Sequence, residues 1–213
     1  MEKFYNIEEQ RFWNKSGSFS LGGEEWSARF GSTQDLWDNL LSEKVKKYCT
    51  GTGLEIAPGE GRITKYLLEE CNSLSLVELN ELPLSKCVEK FGKKIDGYFV
   101  NDGKTLPSYF INNLDFIFSF DSFVHIHQNV FFDYIKEMSR CLKSGGYAVI
   151  HHSFFSGGTD FSFNNLGGRA NLDYIDLQKT LEDNSFEIIS SDECNVSVWF
   201  EDLTDLIGVF RKI

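Results

Sequence analysis

The sequence predicts an α/β fold: a doubly wound, mostly parallel seven-stranded sheet with an antiparallel C-terminal hairpin strand and an N-terminal helical lid. Three observations predict it. From residue 53 onward, short apolar runs alternate with stretches of helical period, which implies crossover units and a sheet covered on both faces. The last two apolar runs have no helix between them, which implies an antiparallel hairpin at one edge. The chain has 213 residues, enough for one sizeable core and too few for two.

Residues 1–50 lack strand signals and carry FWNK, EEWSARFGS and QDLWDNLLSEKVKKYC. Leu36, Leu40, Leu41 and Val45 fall at helical spacing, so this part reads as one or two helices with an aromatic-rich loop, an extension lying over a main domain at 51–213. In that domain GLEIA (53–57) is a strand and GRITKYLLEEC (61–71) a helix. SLSLVEL (73–79) is a strand, PLSKCVEKFG (83–92) a helix, and DGYFVN (96–101) a strand before a loop with Pro107. LDFIFSF (114–120) is a strand. The helix at 129–143 has an apolar face of Val130, Phe131, Tyr134, Ile135, Met138 and Leu142. GGYAVIHHS (145–153) is a strand, a Gly- and Asn-rich loop covers 156–168, and 173–184 is a helix. FEIISSDEC (186–194) and LTDLIGVFRK (203–212) form the closing strands.

Composition narrows the class of function. A net charge of −11 argues against general binding to nucleic acid or to anionic membranes. The five cysteines are scattered with no CxxC pair, as expected of reduced thiols in a cytoplasm. MEKFYNIEEQ is no signal peptide, and no apolar run approaches the roughly 20 residues a bilayer requires. The 20 phenylalanines read mainly as core.

The turn at GLEIAPGEGRITKYL carries the chemistry. In a doubly wound sheet, ligands bind beyond the C-terminal strand ends, where strand order reverses. Gly59 and Gly61 let the backbone turn tightly and let a ligand lie against it. Two readings compete: a dinucleotide site with GxGxxG, whose third glycine is missing here, and an S-adenosylmethionine pocket. Glu55 decides for the second, because a carboxylate would repel a pyrophosphate and attract a sulfonium and an ammonium. Glu78, ending the second strand, can accept hydrogen bonds from both ribose hydroxyls. Asp102, after the third strand, can accept from an adenine amino group.

These residues resemble the class I, Rossmann-like, S-adenosylmethionine-dependent methyltransferases, on EIAPGEG (55–61), VELNE (77–81), NDGKTLP (101–107), DFIFSFDSFVHI (115–126) and LKSGGYAVIHHS (142–153). The resemblance implies that Ala57, Gly59 and Gly61 line the methionine end. Glu78 would hold the ribose, with Leu79 beside it in the cofactor wall. Asp102 and Gly103 would meet adenine, and Ser119 and Phe120 would pass under the methionine part. The glycine loop departs from the pattern in reading PGEG. FSFDSFVHI, LKSGGYAVIHHS and NNLGGRANL (164–172) further resemble the subset found with sugar, lipopolysaccharide and capsule biosynthesis.

Methyl transfer to an alcohol benefits from a base. The four histidines form two pairs, His125 with His127 after the fourth strand and His151 with His152 ending the fifth. His151 and His152 point to opposite faces of a strand. The expected base is His125 or His152, with Asp121 as orienter or alternative base; His127 reads instead as the residue that precedes the following helix. No metal is expected, although His125, Asp121 and His152 would be a plausible ligand set. Trp26, Phe30, His151 and Arg169 are expected at the acceptor, Arg169 because its fork suits phosphate or carboxylate. Core packing is at least as good a reading for Trp37. The expected function is methyl transfer to an oxygen of a sugar or sugar-linked acceptor, with or without a phosphate. Alternatives are N-methylation of an aminosugar or small amine, and a non-catalytic adenosylmethionine-binding subunit. A nucleic-acid acceptor is opposed by the charge and by SFDSF where an NPPY-type turn would stand. The edge hairpin or the Phe-rich loop could pair two chains as a homodimer.

Overall fold

A computed structural model describes residues 21–154, 169–194, 196 and 205–213. FWNK, the loop over 156–168 and positions 203 and 204 of the last predicted strand fall outside the described residues. Seven strands form one sheet: β1 (Thr52–Ile56), β2 (Ser73–Glu78), β3 (Gly97–Val100), β4 (Leu114–Phe123), β5 (Leu142–Ser153), β6 (Phe186–Cys194) and β7 (Asp205–Lys212). Their order is β3-β2-β1-β4-β5-β7-β6. β1 to β5 pair in parallel, and β7 enters antiparallel between β5 and β6. The direction of winding reverses between β1 and β4, which opens a crevice at their C-terminal ends.

The helices divide between the two faces. α1 (Thr33–Leu36), a π-helical turn (Trp37–Leu41), α2 (Ser42–Tyr48), α3 (Thr64–Glu70) and α4 (Glu81–Phe91) cover one face. There Leu36, Trp37, Leu41, Val45, Tyr66 and Leu67 pack on Leu74, Leu76, Phe116 and Phe118. Trp37 is core, stacked on Tyr66 with centroids 4.9 Å apart. α5 (Gln128–Cys141) and α6 (Tyr174–Asp183) cover the other face through Phe131, Tyr134, Ile135, Met138, Leu177 and Leu181. Caps follow the sequence: Ser32, His127 and Asp173 accept backbone N–H groups at the starts of α1, α5 and α6. The helix predicted from residue 61 begins only at Thr64, because Gly61 sits at φ 83 and cannot be helical. All five cysteines are free thiols. Among the described residues no helix is long and apolar enough to cross a membrane.

Candidate functional site

A cavity of about 170 Å³ lies at the crevice between β1 and β4. Its wall on the β1–β2 side comes from a turn that combines three left-handed residues, Ala57 (φ 56), Gly59 (φ 58) and Gly61 (φ 83). Ala57, Pro58 and Gly59 face the cavity. Gly61 does not line it, which corrects the expectation that a ligand lies against it. A Cβ there would collide with the Phe91 ring and press on Cys87, so this glycine admits α4.

Two acids stand at this wall. Glu78, 6% exposed, accepts Gly59 N–H at 3.2 Å on one oxygen and Asn80 N–H at 3.1 Å on the other. Burial raises its pKa to about 7 against the pull of those bonds. Glu55, 3% exposed, accepts the Thr64 hydroxyl at 2.6 Å, and burial raises its pKa to about 8. Both line the cavity together with Leu79, Asn80, Asn101 and Gly103. Asp102 does not. It is exposed, and its Oδ1 accepts Lys104 N–H, Thr105 N–H and the Thr105 hydroxyl at 2.8–3.0 Å. Burial would raise its pKa, but these bonds outweigh burial and hold it low. The acid thus shapes the turn that presents its neighbours Asn101 and Gly103.

The opposite wall is built by a bulge. Ser119 pairs with Ile150 and Phe123 with His152, so Phe120, Asp121 and Ser122 stand opposite His151 alone. Asp121 takes φ 61 there. Phe120, Asp121, Ser122 and His125 line the cavity. Ser119 does not: it is buried and donates its hydroxyl to Ile56 O at 2.8 Å, tying β4 to β1. The Asp121 carboxylate takes an arginine and not the imidazole that its role of orienter supposed. Its Oδ2 binds Arg62 Nη2 at 2.8 Å.

The remaining expected residues separate sharply. Of the four histidines only His125 lines the cavity. His152 is fully buried between Phe131 and Phe210 in the core, and burial lowers its pKa to about 4, so it is no base for this cavity. The trio His125, Asp121 and His152 is accordingly not assembled as a metal site. His151, expected at the acceptor, is 1% exposed and sealed behind Phe120, on which it stacks at 4.6 Å. Its Nδ1 accepts Asp121 N–H at 3.0 Å and its Nε2 lies 3.5 Å from Asp205 Oδ2. Burial opposes a charge on this ring, whereas Cys194 and Asp205 favour one and draw its pKa up. An imidazolium would set a second N–H against Asp121 N–H, so the bond at Nδ1 opposes that charge and places the ring hydrogen on Nε2. Phe30 packs against the core and does not line the cavity, while Trp26 does. Arg169 lines the cavity but is no exposed loop cation: it is 5% exposed and gripped by Asp205 at 2.6, 3.0 and 3.1 Å. Burial raises the Asp205 pKa, yet the bonds from His151 and Arg169 outweigh it and hold the group at about 2.

Sequence reasoning missed Arg62 and Asp205. Arg62 donates to Ser27 Oγ at 3.0 Å and to Asp121, and lies 5.7 Å over the Phe120 ring, joining the N-terminal segment to both walls. Its position directly after the glycine turn was the available signal. Asp205 carries none, because its partners are 36 and more positions away.

Residues 54–150 match the family model described as "Methyltransferase domain". An S-adenosylmethionine-dependent methyltransferase from Clostridium acetobutylicum is similar over 96% of this chain and 98% of its own, with a TM-score of 0.63 and 16% identity. Magnesium protoporphyrin IX methyltransferase from Synechocystis PCC 6803, solved with bound cofactor, covers 97% of each chain at 0.68 and 12%. The 1,6-didemethyltoxoflavin-N1-methyltransferase of Burkholderia thailandensis covers 97% of this chain and 86% of its own at 0.64 and 17%. At such identities the likeness is one of fold. No curated protein matches the chain.

Proposed function

We propose that the chain is an S-adenosylmethionine-dependent methyltransferase, supported by the match of residues 54–150 to a methyltransferase-domain model, and that it methylates an oxygen of a hydroxyl-rich small molecule. The acceptor class we infer is a sugar or sugar-linked molecule of polysaccharide or natural-product biosynthesis. The cavity's chemistry fits the cofactor. Glu55 and Glu78 offer carboxylates to a ligand bearing a sulfonium and an ammonium, while Arg62 and Arg169 are already paired with Asp121 and Asp205. When bound, the sulfonium supplies an electrophilic methyl carbon. Glu78 would hold the ribose, since each oxygen accepts one backbone N–H and keeps lone pairs for a hydroxyl. Leu79, Asn80, Asn101 and Gly103 would enclose the adenine, and Ala57, Pro58 and Gly59 the methionine end. Trp26 would close over the site as part of an N-terminal lid and offer a sugar ring a flat apolar face.

The observation that carries the oxygen acceptor is His125, the single histidine at the cavity, just past the β4 bulge. As a neutral imidazole it would take the proton of an attacking hydroxyl, a contribution of about 10²–10⁴-fold. Asp121, tied to Arg62, would shape the wall rather than remove a proton. The pairing of both arginines favours an uncharged hydroxyl over a phosphorylated acceptor.

The test is transfer from tritium-labelled cofactor to glucose, glucosamine and their uridine diphosphate conjugates, with wild type and His125→Ala. We expect transfer to the uncharged, hydroxyl-only member, glucose, in preference to the diphosphate conjugates, and a loss of about 10²-fold or more in kcat for the variant. Transfer confined to amine-bearing members, with His125→Ala unimpaired, would replace the oxygen acceptor by a nitrogen one. Binding of S-adenosylhomocysteine without transfer to any member would instead mark a binding subunit.

A further inference from the structure

The β4 bulge leaves a buried backbone group to be satisfied. Three residues of β4 face one of β5, which removes Asp121 N–H from the backbone ladder. A buried N–H requires an acceptor, and the one supplied is a side chain, His151 Nδ1 at 3.0 Å. The ring is buried, 1% exposed. It stacks on Phe120 with an interplanar angle of 23°, its Nε2 faces Asp205 Oδ2, and Asp205 is clamped by Arg169. The φ of 61 at Asp121 is costly for a residue other than glycine and persists only because its surroundings hold it, the Arg62 bond to its side chain among them. A turn closed by His125 N–H on Ser122 O at 3.0 Å follows the bulge directly. The position of His125 therefore depends on the bulge upstream of it.

We propose that His151 is a positioning residue: by accepting Asp121 N–H it holds the left-handed bulge that turns Asp121 and His125 into the cavity. His151 lies outside the cavity and touches neither ligand, so it acts through the backbone of Asp121. The consequence for catalysis rests on the methyl-transfer reading above; the hydrogen bond does not.

Two substitutions separate the nitrogens of the ring. In His151→Asn the amide oxygen can take the place of Nδ1, whereas in His151→Gln it reaches the place of Nε2. The measurements are kcat and KM on the acceptor turned over in the panel above, S-adenosylhomocysteine affinity by calorimetry, and thermal melting. On ¹⁵N-labelled wild type, a scalar coupling across the hydrogen bond between the Asp121 amide nitrogen and His151 Nδ1 is sought by NMR. We expect that coupling to be present. We expect His151→Asn to keep kcat within a few-fold and His151→Gln to lose about 10²-fold, the scale of an ångström's misplacement, with S-adenosylhomocysteine affinity held within about twofold in both. Absence of the coupling in wild type overturns the proposal, whether or not the variants fold. Equal kcat in two folded variants overturns it as well. Presence of the coupling in a wild type that methylates nothing would remove the methyl-transfer reading and leave the positioning of the bulge standing.

Discussion

Replacing Arg62 by methionine should loosen the joint between the two walls of the cavity, and the structure fixes how much. The guanidinium side chain is 9% exposed and the Asp121 side chain 16%, so the pair is largely but not wholly withdrawn from water. Removing one partner of a fully buried pair costs about 3–5 kcal/mol, chiefly because the other charge is left uncompensated. The residual exposure of Asp121 lets water repay part of this, which brings the expected loss to about 2–4 kcal/mol. Methionine keeps most of the stem that lies along Phe120, so the loss reports the charge rather than the packing. For a chain of this length each kcal/mol moves the melting temperature by about 2–4 °C, so Arg62→Met should melt about 5–15 °C below wild type. The double variant Arg62→Met/Asp121→Asn removes the stranded charge and should recover more than half of the fall, as coupled residues do. Circular dichroism melts of the three proteins in one buffer measure this. A fall under about 2 °C for the single variant, or a double variant no better than it, would refute the account of the joint.

Glu78→Ala should weaken S-adenosylhomocysteine binding by about 10–10³-fold in calorimetry, because it removes two charge-assisted acceptors and leaves Gly59 and Asn80 N–H without theirs; unchanged affinity would remove its ribose role. The raised pKa values of Glu55 (about 8) and Glu78 (about 7) mean that folding favours their protonated forms. Their contribution to stability is thus complete below the ordinary value of 4.5 and fades as pH climbs through about 7–8. A cationic ligand favours the ionised forms, so affinity for S-adenosylmethionine should rise from about pH 6 to about pH 8.5 with proton release, measured by calorimetry in buffers of different ionisation enthalpy; a flat profile without proton release would contradict it. Gly61→Ala should destabilise the fold by about 2 kcal/mol or more, since it combines φ 83 with a clash on Phe91, and a melt within about 2 °C of wild type would contradict the packing role.

The sequence by itself determined what short-range patterns can determine. Alternating apolar runs and helical stretches gave seven strands, their parallel majority and the closing hairpin, because side-chain periodicity is a local property. The glycine turn and the acids Glu55 and Glu78 were legible for the same reason: each sits at a strand end that the pattern marks. What only the tertiary structure decided is which of these groups meet. Two adjacent histidines alternate in a strand, but nothing local says that His152 enters the core while His151 seals the back of a bulge. Arg62 and Asp121 are joined across 59 positions and Arg169 and Asp205 across 36, so an apparent loop cation became a buried one. That His125 and not His152 lines the cavity follows from the register between β4 and β5. That register is set by the packing of two faces at once, and no window of sequence contains it.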